Sequence, residues 1–543
     1  MHKIRPHVLS LSIITLVALL AFWGINNIFF QQDEWLGLGG AMSRRDNGGI
    51  TRVVIDIFHP AGGLFRFLPL TSLANYVVFN TFGLNFSWYG YLAFFMAVAN
   101  SLLIYLCIEK LTESKVVSIV TTLFWLTNGY SQQAITWISS IVPSQFSFMF
   151  FMLSFLNLLT FRKNHKIVNL LLCSLFMLVS LLFKESGIYY IFIFPLLIFS
   201  KDVRWGWSIL IIPVLLTIVF PKLLFKNIKA SSSVPEAAKI TQSGNIIYNM
   251  FLVPSRTLFQ VFIPQKQLYS LFYKANKIHY GDLTNGYVVE SIIGDTVSVI
   301  GSITVLSVVL GAVALAKRSK KTILFSLVAF GFSCAPFVLF PNQPATLESR
   351  FYIFPALWAG LILALTVETY MSILPKIKLP LSVIILLPLL SYYVTNIKRD
   401  LALDIKTGSY RKTILETVSQ IKPNLENNNI FYFFTDNNGF WEFQSGFGQT
   451  LAVWLYNTGK IPNETLTDPD FWDLSYEELK QYGTRKYGYF MTYSKLLETL
   501  KDNPDISSDN VHAYYWDYQK HSVKNVSGNI REKLKKDITN EEN

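Results

Sequence analysis

Charged side chains stand at three junctions between long apolar runs of this chain. The junctions are Asp33-Glu34-Trp35, Lys184-Glu185 and Glu348-Ser349-Arg350-Phe351-Tyr352. A carboxylate beside a region of low dielectric holds a proton more tightly, which makes it a better base for a hydroxyl group. A lysine or arginine in such a place is costly unless it is paired or functional, and the forked donors of arginine suit a phosphate. These residue types therefore predict proton removal from a hydroxyl group beside a bound phosphate.

The first loop supplies three further candidates, Asp56, His59 and Arg66. His59 and Arg66 each have a plainer alternative. His59 fits a solvated loop histidine, and Arg66, like Arg350, fits an anchor that reaches lipid phosphate at the membrane surface. Lys184-Glu185 equally fits a structural ion pair. Taken one at a time, these residues do not distinguish a site from a membrane boundary.

The composition places the candidates in a membrane protein. Of the 543 residues, 51% are hydrophobic and 15% are charged, which is too little charge for a soluble protein of this size. The net charge is +12, but Lys and Arg stand in short clusters between apolar runs. That pattern indicates membrane orientation and excludes a nucleic-acid partner. The three cysteines lie inside apolar runs and have neither disulfide nor zinc-ligand spacing.

The apolar runs predict about eleven transmembrane helices, because a helix crosses a bilayer with roughly 17–25 apolar residues. The first run follows a basic N-terminus and is too long for the core of a signal peptide, so it is predicted to remain as a span. The predicted spans are 8–30, 88–109, 115–129, 141–161, 167–183, 187–201, 207–223, 297–317, 321–340, 350–372 and 378–396.

Basic clusters between the runs predict the orientation, since cytoplasmic loops are rich in Lys and Arg. The clusters at 162–166, 201–204, 317–321 and 376–378 share one side if the N-terminus is cytoplasmic. This alternation also requires that 67–82 be an outer surface helix and not a span. The sequence thus predicts a multi-pass cell-membrane protein with an extracytoplasmic C-terminal domain.

Three large outer regions follow from this topology, at 31–87, 224–296 and 397–543. The last alternates predicted strands and helices, namely Lys412–Ile421 and Ser494–Leu500 as helices and Ile430–Thr435 and Tyr487–Tyr493 as strands. The predicted fold is therefore an α-helical polytopic membrane module over 1–396, followed by a small α/β domain over 397–543. The charged last dozen residues are predicted to be disordered.

The order of these motifs resembles that of the C-type (GT-C) polytopic glycosyltransferases, which use polyprenyl-phosphate sugars as donors. That class includes the protein O-mannosyltransferases and the lipid A aminoarabinose transferases. The resemblance covers nearly the whole chain and is clearest over residues 1–200. It rests on Asp33-Glu34-Trp35, Phe58-His59-Pro60, Arg66-Phe67-Leu68-Pro69, Phe82-Gly83-Leu84-Asn85, Lys184-Glu185 and Arg350-Phe351-Tyr352. After Pro60 the chain has Ala61-Gly62-Gly63 where the mannosyltransferases carry a second proline and a lysine.

The resemblance implies a GT-C-like fold and an inverting transfer of a sugar from a polyprenyl-phosphate donor to an acceptor hydroxyl at the outer membrane face. Asp33 would be the general base and Glu34 its partner, and the pair could also bind a divalent cation such as Mg²⁺ or Mn²⁺. The implied partners are the lipid-linked sugar, membrane lipids and an acceptor glycan, lipid or protein. The other implied site residues are Lys184, Arg350 and Arg66 at the donor phosphate, and His59, Asp56, Glu185 and Tyr352 along the substrate cavity.

Two other classes stay open, a polysaccharide polymerase or ligase and a non-enzymatic flippase or transporter of lipid-linked sugars. A polymerase or ligase usually has a main outer loop rich in Arg and His. A transporter is expected to show inverted repeats and broken helices near mid-membrane. The sequence displays neither of these two transporter signals, and its charged residues gather at one predicted face, which favours chemistry at the interface.

Overall fold

The computed structural model describes most of the chain. The described residues are 5–58, 68–129, 132–198, 211–213, 215–216, 243–280, 292–338, 349–373, 378–420, 428–436, 450–451, 453–455, 477–482 and 485–542. By its contacts the chain divides into two compact units that interleave along the sequence. The first unit contains Met1–Ile25, Val54–Ala74 and Tyr89–Leu401, and the second contains Asn26–Val53, Asn75–Trp88 and Ala402–Asn543.

The protein is mostly helical. Its longer helices are α1 (Arg5–Phe22), α2 (Gln32–Asp46), α3 (Gly49–Phe58), α4 (Pro69–Phe82), α5 (Phe86–Thr112), α6 (Lys115–Thr127), α7 (Ile138–Asn164), α8 (Ile167–Phe183), α9 (Tyr190–Ile198), α10 (Ser243–Gln260), α11 (Gln265–Tyr280), α12 (Ile292–Leu315), α13 (Lys320–Ser333), α14 (Ile353–Ile373), α15 (Lys378–Gln420), α16 (Tyr493–Asp502) and α17 (Ser527–Glu542). Short helical turns cover Gln133–Thr136, Glu185–Tyr189, Ala335–Val338 and Ser349–Tyr352.

Within the described residues, six helices are long and apolar enough to cross a membrane. They are His7–Asn27, Phe86–Thr112, Ile138–Asn164, Ile293–Leu315, Lys320–Val338 and Arg350–Ile373. Three shorter apolar helices, Lys115–Thr127, Ile167–Phe183 and Glu185–Leu197, coincide with further predicted spans. The span predicted at 207–223 lies mostly outside the described residues, and 378–396 forms the first half of α15. The multi-pass membrane class is confirmed, while the number eleven stays a prediction.

Helix α14 lies at the centre of the first unit. In the most apolar stretch of this helix, 78% of the residues are buried inside the protein, more than in any of the other five candidate spans. It packs against α6, α12 and α13. Gly360 allows the approach of α6, because a Cβ at this position would lie 2.9 Å from Phe124 and 3.1 Å from the Thr121 carbonyl oxygen. The Trp125 indole N–H donates to the Ile353 carbonyl oxygen at 2.8 Å, which fixes the start of α14.

The second unit joins the segment around α2 to the C-terminal half of the long helix α15. Gly408 makes this possible, since a Cβ there would lie 2.8 Å from the backbone nitrogen of Phe29. One turn further on, Arg411 donates to the carbonyl oxygen of Phe30 at 3.3 Å. Gly37 on α2 similarly admits the ring of Phe79 on α4. Missing side chains at these positions therefore let the backbone and aromatic rings come together.

A five-stranded sheet forms the core of the C-terminal region, with the strand order β2-β3-β1-β4-β5. The strands are β1 (Asn429–Thr435), β2 (Glu478–Tyr482), β3 (Arg485–Phe490), β4 (Val511–Asp517) and β5 (Ser522–Asn525). The central strand β1 is parallel to both β3 and β4, and the two edge strands are antiparallel. This sheet confirms the predicted small α/β domain, including strands near 430–435 and 487–493 and a helix at 494–500. The helix predicted at 412–421 is the end of α15.

The prediction of a disordered C-terminus is wrong. Residues Ser527–Glu542 form α17, which covers the sheet. Its residues Ile530, Leu534 and Ile538 recur every four positions, and Leu534 is fully buried among Ile430, Val511 and their neighbours. The high charge of this segment belongs to the opposite face of an amphipathic helix. A prediction from charge content alone therefore missed the apolar stripe of this helix.

Candidate functional site

Lys184 lies at the end of α8, where the chain leaves the helix in an extended conformation (φ −160°, ψ 135°). Its backbone N–H still donates to the Ser180 carbonyl oxygen at 3.0 Å. The half-buried side chain turns toward α7, and its Nζ donates to Ser144 Oγ at 2.8 Å. The same Nζ lies 5.5 Å from the centroid of the Phe351 ring. A cation at this distance is attracted by the negative face of the ring.

Arg350 approaches the same ring from the short turn Ser349–Tyr352 that precedes α14. Its guanidinium carbon lies 5.4 Å from the Phe351 centroid and 4.6 Å from the centroid of Trp137. Its backbone N–H donates to Gln133 Oε1 at 3.3 Å. Two candidates for the donor phosphate, from distant parts of the sequence, are thus brought to one aromatic ring within the first unit.

The segment between α6 and the regular part of α7 holds both cations, and sequence reasoning missed it. Gln133 and Trp137 contact Arg350, while Ser144 contacts Lys184. The segment is a broken helix. A short turn ends at Trp137, which is extended (φ −92°, ψ 114°), and Ile141–Phe146 then forms a π-helix. Pro143 inside the apolar run was the available signal, because proline cannot continue regular α-helical hydrogen bonding.

Tyr352, which follows Phe351 in the same turn, is fully buried. Its hydroxyl donates to Gln260 Oε1 at 2.8 Å, and Gln260 Nε2 donates to Ser298 Oγ at 3.0 Å. One turn earlier on α10, the fully buried Arg256 forms an ion pair with Asp295 at 3.1 Å. The turn that carries Arg350 is therefore tied to α10 and α12 through a buried polar network. A charge buried in this way is expensive unless its partner stays in place.

Glu185 begins the turn Glu185–Tyr189 and is half-buried. It adjoins Lys184 in sequence and belongs to the first unit. Asp56 is also half-buried, near the end of α3. Two other candidates, His59 and Arg66, lie outside the described residues.

The acidic pair after the first apolar run belongs to the second unit. Glu34 is 1% exposed, and its Oε2 accepts the backbone N–H of Gln31 at 2.5 Å. This contact closes the N-terminus of α2, where a carboxylate is favoured by the helix dipole. The neighbouring Trp35 is fully buried against Phe29 and Phe30. Asp33 lies in the first turn of the same helix.

The acidic pair is also the predicted site of a divalent cation. Across the described part of the chain, no group of three or more His, Cys, Asp or Glu side chains is arranged to hold one. The Glu34 carboxylate already accepts a backbone N–H and is buried, which suits a structural cap better than a metal ligand. A divalent cation at Asp33 and Glu34 stays a prediction.

An apolar groove of about 230 Å³ opens further along α14 in the first unit. It is lined by apolar side chains and two threonines, namely Phe262, Thr304, Val305, Val308, Val309, Ile362, Leu363 and Thr366. Ile362 lies twelve residues after Arg350, which corresponds to about 18 Å along a helix. The groove and the two cations thus belong to the same helix and its neighbours.

Comparison with known proteins adds no family. The sequence matches no protein-family model, and no curated protein is significantly similar to it. The proposed function accordingly rests on the site and on the motif resemblance.

Proposed function

We propose that this protein is an integral membrane glycosyltransferase. It moves a sugar from a polyprenyl-phosphate donor to an acceptor hydroxyl at the outer membrane face. The observation that carries the proposal is the convergence of Lys184 and Arg350 on the ring of Phe351. A lysine ammonium and an arginine guanidinium at one aromatic ring offer charged donors of the kind that bind a phosphate through charge-assisted hydrogen bonds.

A phosphate leaving group needs such an arrangement. When the bond between the anomeric carbon and the phosphate oxygen breaks, the electron pair stays on that oxygen. Fixed cations in surroundings of low dielectric stabilise this charge more than water does. Arg350 is oriented by Trp137 and by its backbone contact with Gln133, and Lys184 is oriented by Ser144. The cations are therefore positioned before the donor arrives.

The apolar groove along α14 suits the lipid part of the donor. Its lining offers aliphatic and aromatic side chains such as Phe262, Val308 and Leu363. A prenyl chain in this groove would pass along α14 toward Arg350. The donor would then enter from the bilayer and present its phosphate at the end of the helix.

The motif resemblance implies that Asp33 is the base, and this stays a prediction. The base takes the proton of the acceptor hydroxyl as the oxygen forms its bond to the anomeric carbon, and a single displacement inverts that carbon. Glu34 holds the first turn of α2 through the backbone N–H of Gln31 and so supports Asp33. The C-terminal sheet domain is proposed to select the acceptor, which is a glycan, a lipid or a protein.

The test uses the full-length protein in detergent with a panel of radiolabelled polyprenyl-phosphate sugars. We expect one label to be consumed, with release of polyprenyl phosphate. Lys184→Ala and Arg350→Ala should each lose at least tenfold in kcat/KM, since each removes a hydrogen-bonding cation from the leaving group. Lys163→Ala is the matched control, because Lys163 is exposed and pairs with Glu113. Unchanged turnover in both site variants would refute the role of the two cations.

Transport of a lipid-linked sugar is a second candidate, favoured by the broken helix at Gln133–Phe146. Broken helices form substrate sites in many transporters. The same panel separates the two functions. A transferase consumes the label, whereas a transporter moves an intact labelled donor across vesicles and leaves its sugar–phosphate bond unbroken.

A further inference from the structure

The broken segment Gln133–Phe146 is held together by two buried amide side chains. The Gln145 side chain reaches back across the break, and its Nε2 donates to the Ala134 carbonyl oxygen at 3.2 Å. Asn100 on α5 donates two hydrogen bonds to Gln145, from its Nδ2 to Gln145 Oε1 at 2.6 Å and to the Gln145 carbonyl oxygen at 3.2 Å. Both side chains are fully buried. We call Asn100 and Gln145 the amide clamp.

The amide clamp lies between the residues that hold the two cations. Ala134 follows Gln133, which accepts the Arg350 N–H, and Gln145 follows Ser144, which accepts from Lys184. Gln145 uses both ends of its amide, one toward Ala134 and the other toward Asn100. The clamp therefore connects the support of Arg350 to the support of Lys184.

The backbone at the break cannot maintain this geometry alone. Trp137 is extended, and Pro143 has no N–H to donate within the π-helix. A π-helix is rare, occurs mostly as a single turn inside an α-helix and is frequent at functional sites. The contacts that Asn100 and Gln145 supply are buried, so losing them leaves polar groups without water to replace the hydrogen bonds.

We propose that Asn100 and Gln145 are positioning residues that set the spacing of Lys184 and Arg350 for one shared phosphate. This inference rests on the proposed function, because it assigns the two cations to the phosphate of a lipid-linked donor. The clamp touches neither cation directly. It acts through Ser144 on one side of the break and through Gln133 and Trp137 on the other.

The test is a double-mutant cycle on ligand binding. The full-length protein in detergent is titrated with a polyprenyl phosphate, and with the matching polyprenol as a probe of the lipid chain alone. Gln145→Met keeps the side-chain volume and removes the amide. We expect it to raise the Kd for the polyprenyl phosphate about tenfold and to leave polyprenol binding within about twofold.

The cycle adds Lys184→Ala to Gln145→Met. If the clamp acts through the cation, Gln145→Met should raise the Kd less than about threefold once Lys184 is gone. Asn100→Ser is a milder second variant in case Gln145→Met does not fold. Ser154→Ala is the matched control, since it removes a buried hydrogen bond on the same helix, from Ser154 Oγ to the Cys173 carbonyl oxygen.

The outcomes separate the proposed function from the role of the amide clamp. If Lys184→Ala and Arg350→Ala bind polyprenyl phosphate as tightly as the unaltered protein, the proposed function fails and the role of the clamp fails with it. If those variants bind weakly but Gln145→Met and Asn100→Ser do not, the clamp alone is refuted. A full additive loss in the double variant, or an equal loss of polyprenol binding, also refutes positioning and leaves a general structural role.

Discussion

The guanidinium of Arg350 lies over the indole of Trp137, with 4.6 Å between the guanidinium carbon and the ring centroid. This contact joins the turn before α14 to the broken segment Gln133–Phe146. A guanidinium over an aromatic face is attracted by the ring, and the attraction restricts its motion. The relationship gives Trp137 a definite role that its position in an apolar run does not suggest.

Trp137→Leu should therefore weaken binding of a polyprenyl phosphate by a factor of roughly 2 to 30, which corresponds to a cation–π contribution of about 0.5–2 kcal/mol. Trp137→Phe retains an aromatic face and should lose less. Isothermal titration with the detergent-solubilised protein measures both constants. Equal affinities for the Leu and Phe variants would show that stacking does not orient Arg350.

Asp33→Asn should abolish sugar transfer while the protein still inserts in the membrane. The amide has nearly the shape of the carboxylate but cannot accept the hydroxyl proton. Turnover of the radiolabelled donor measures the loss, and membrane fractionation checks insertion. Normal turnover in this variant would remove Asp33 from the role of base.

Glu34→Gln should behave differently from Asp33→Asn, because Glu34 closes the N-terminus of α2. The substitution keeps an acceptor oxygen but removes the charge that favours the helix dipole. We expect a loss of about 1 kcal/mol in the free energy of unfolding, with transfer still measurable. Thermal unfolding in detergent measures the first effect. A variant as stable as the unaltered protein but inactive would instead indicate direct participation of Glu34 in the reaction.

His512 should make the C-terminal domain less stable in mild acid. The pKa of this imidazole is lowered from 6.5 to about 4, mainly by its burial in β4 and secondly by the positive charge of the nearby Arg531. The unfolded chain therefore binds a proton that the folded domain excludes as the pH falls from about 6.5 to about 4. Over that range the group removes up to about 3 kcal/mol from the free energy of unfolding, and above pH 6.5 it has no effect.

Pulse proteolysis at pH 5 and pH 7.5 measures this difference in stability. His512→Gln retains a partner for Asn429 Oδ1, which lies 2.8 Å from His512 Nε2, and should flatten the pH dependence. His521→Gln serves as the control because His521 is exposed. An unchanged slope in His512→Gln would contradict the assignment.

Leu534→Ala should destabilise the C-terminal domain by about 2–5 kcal/mol, since Leu534 is fully buried where α17 meets the sheet. Lys536→Ala, on the exposed side of the same helix, should change stability by less than about 0.5 kcal/mol. Protease resistance of residues 429–542 reports the effect. Similar resistance in both variants would mean that α17 does not complete the core.

Several features could be read from the sequence because they depend on neighbouring residues. Length and hydropathy identified the membrane helices, and short apolar stretches between turns identified β1 and β3. The same local signals failed where two of them conflict. In α17 the high charge content led to a prediction of disorder although Ile530, Leu534 and Ile538 form an apolar repeat. Around Pro143 the high hydropathy led to a prediction of one continuous helix where the helix is broken.

By itself, the sequence determined that this chain is a multi-pass membrane protein with a small sheet domain, and it marked Lys184 and Arg350 as charges at helix ends. The tertiary structure alone decided that both charges meet at Phe351 and that Gln133, Trp137 and Ser144 hold them. The physical reason is that hydropathy acts over one helix, whereas these contacts join segments far apart in the chain. Their meeting depends on how α7, α8 and α14 pack, and no local pattern encodes that packing.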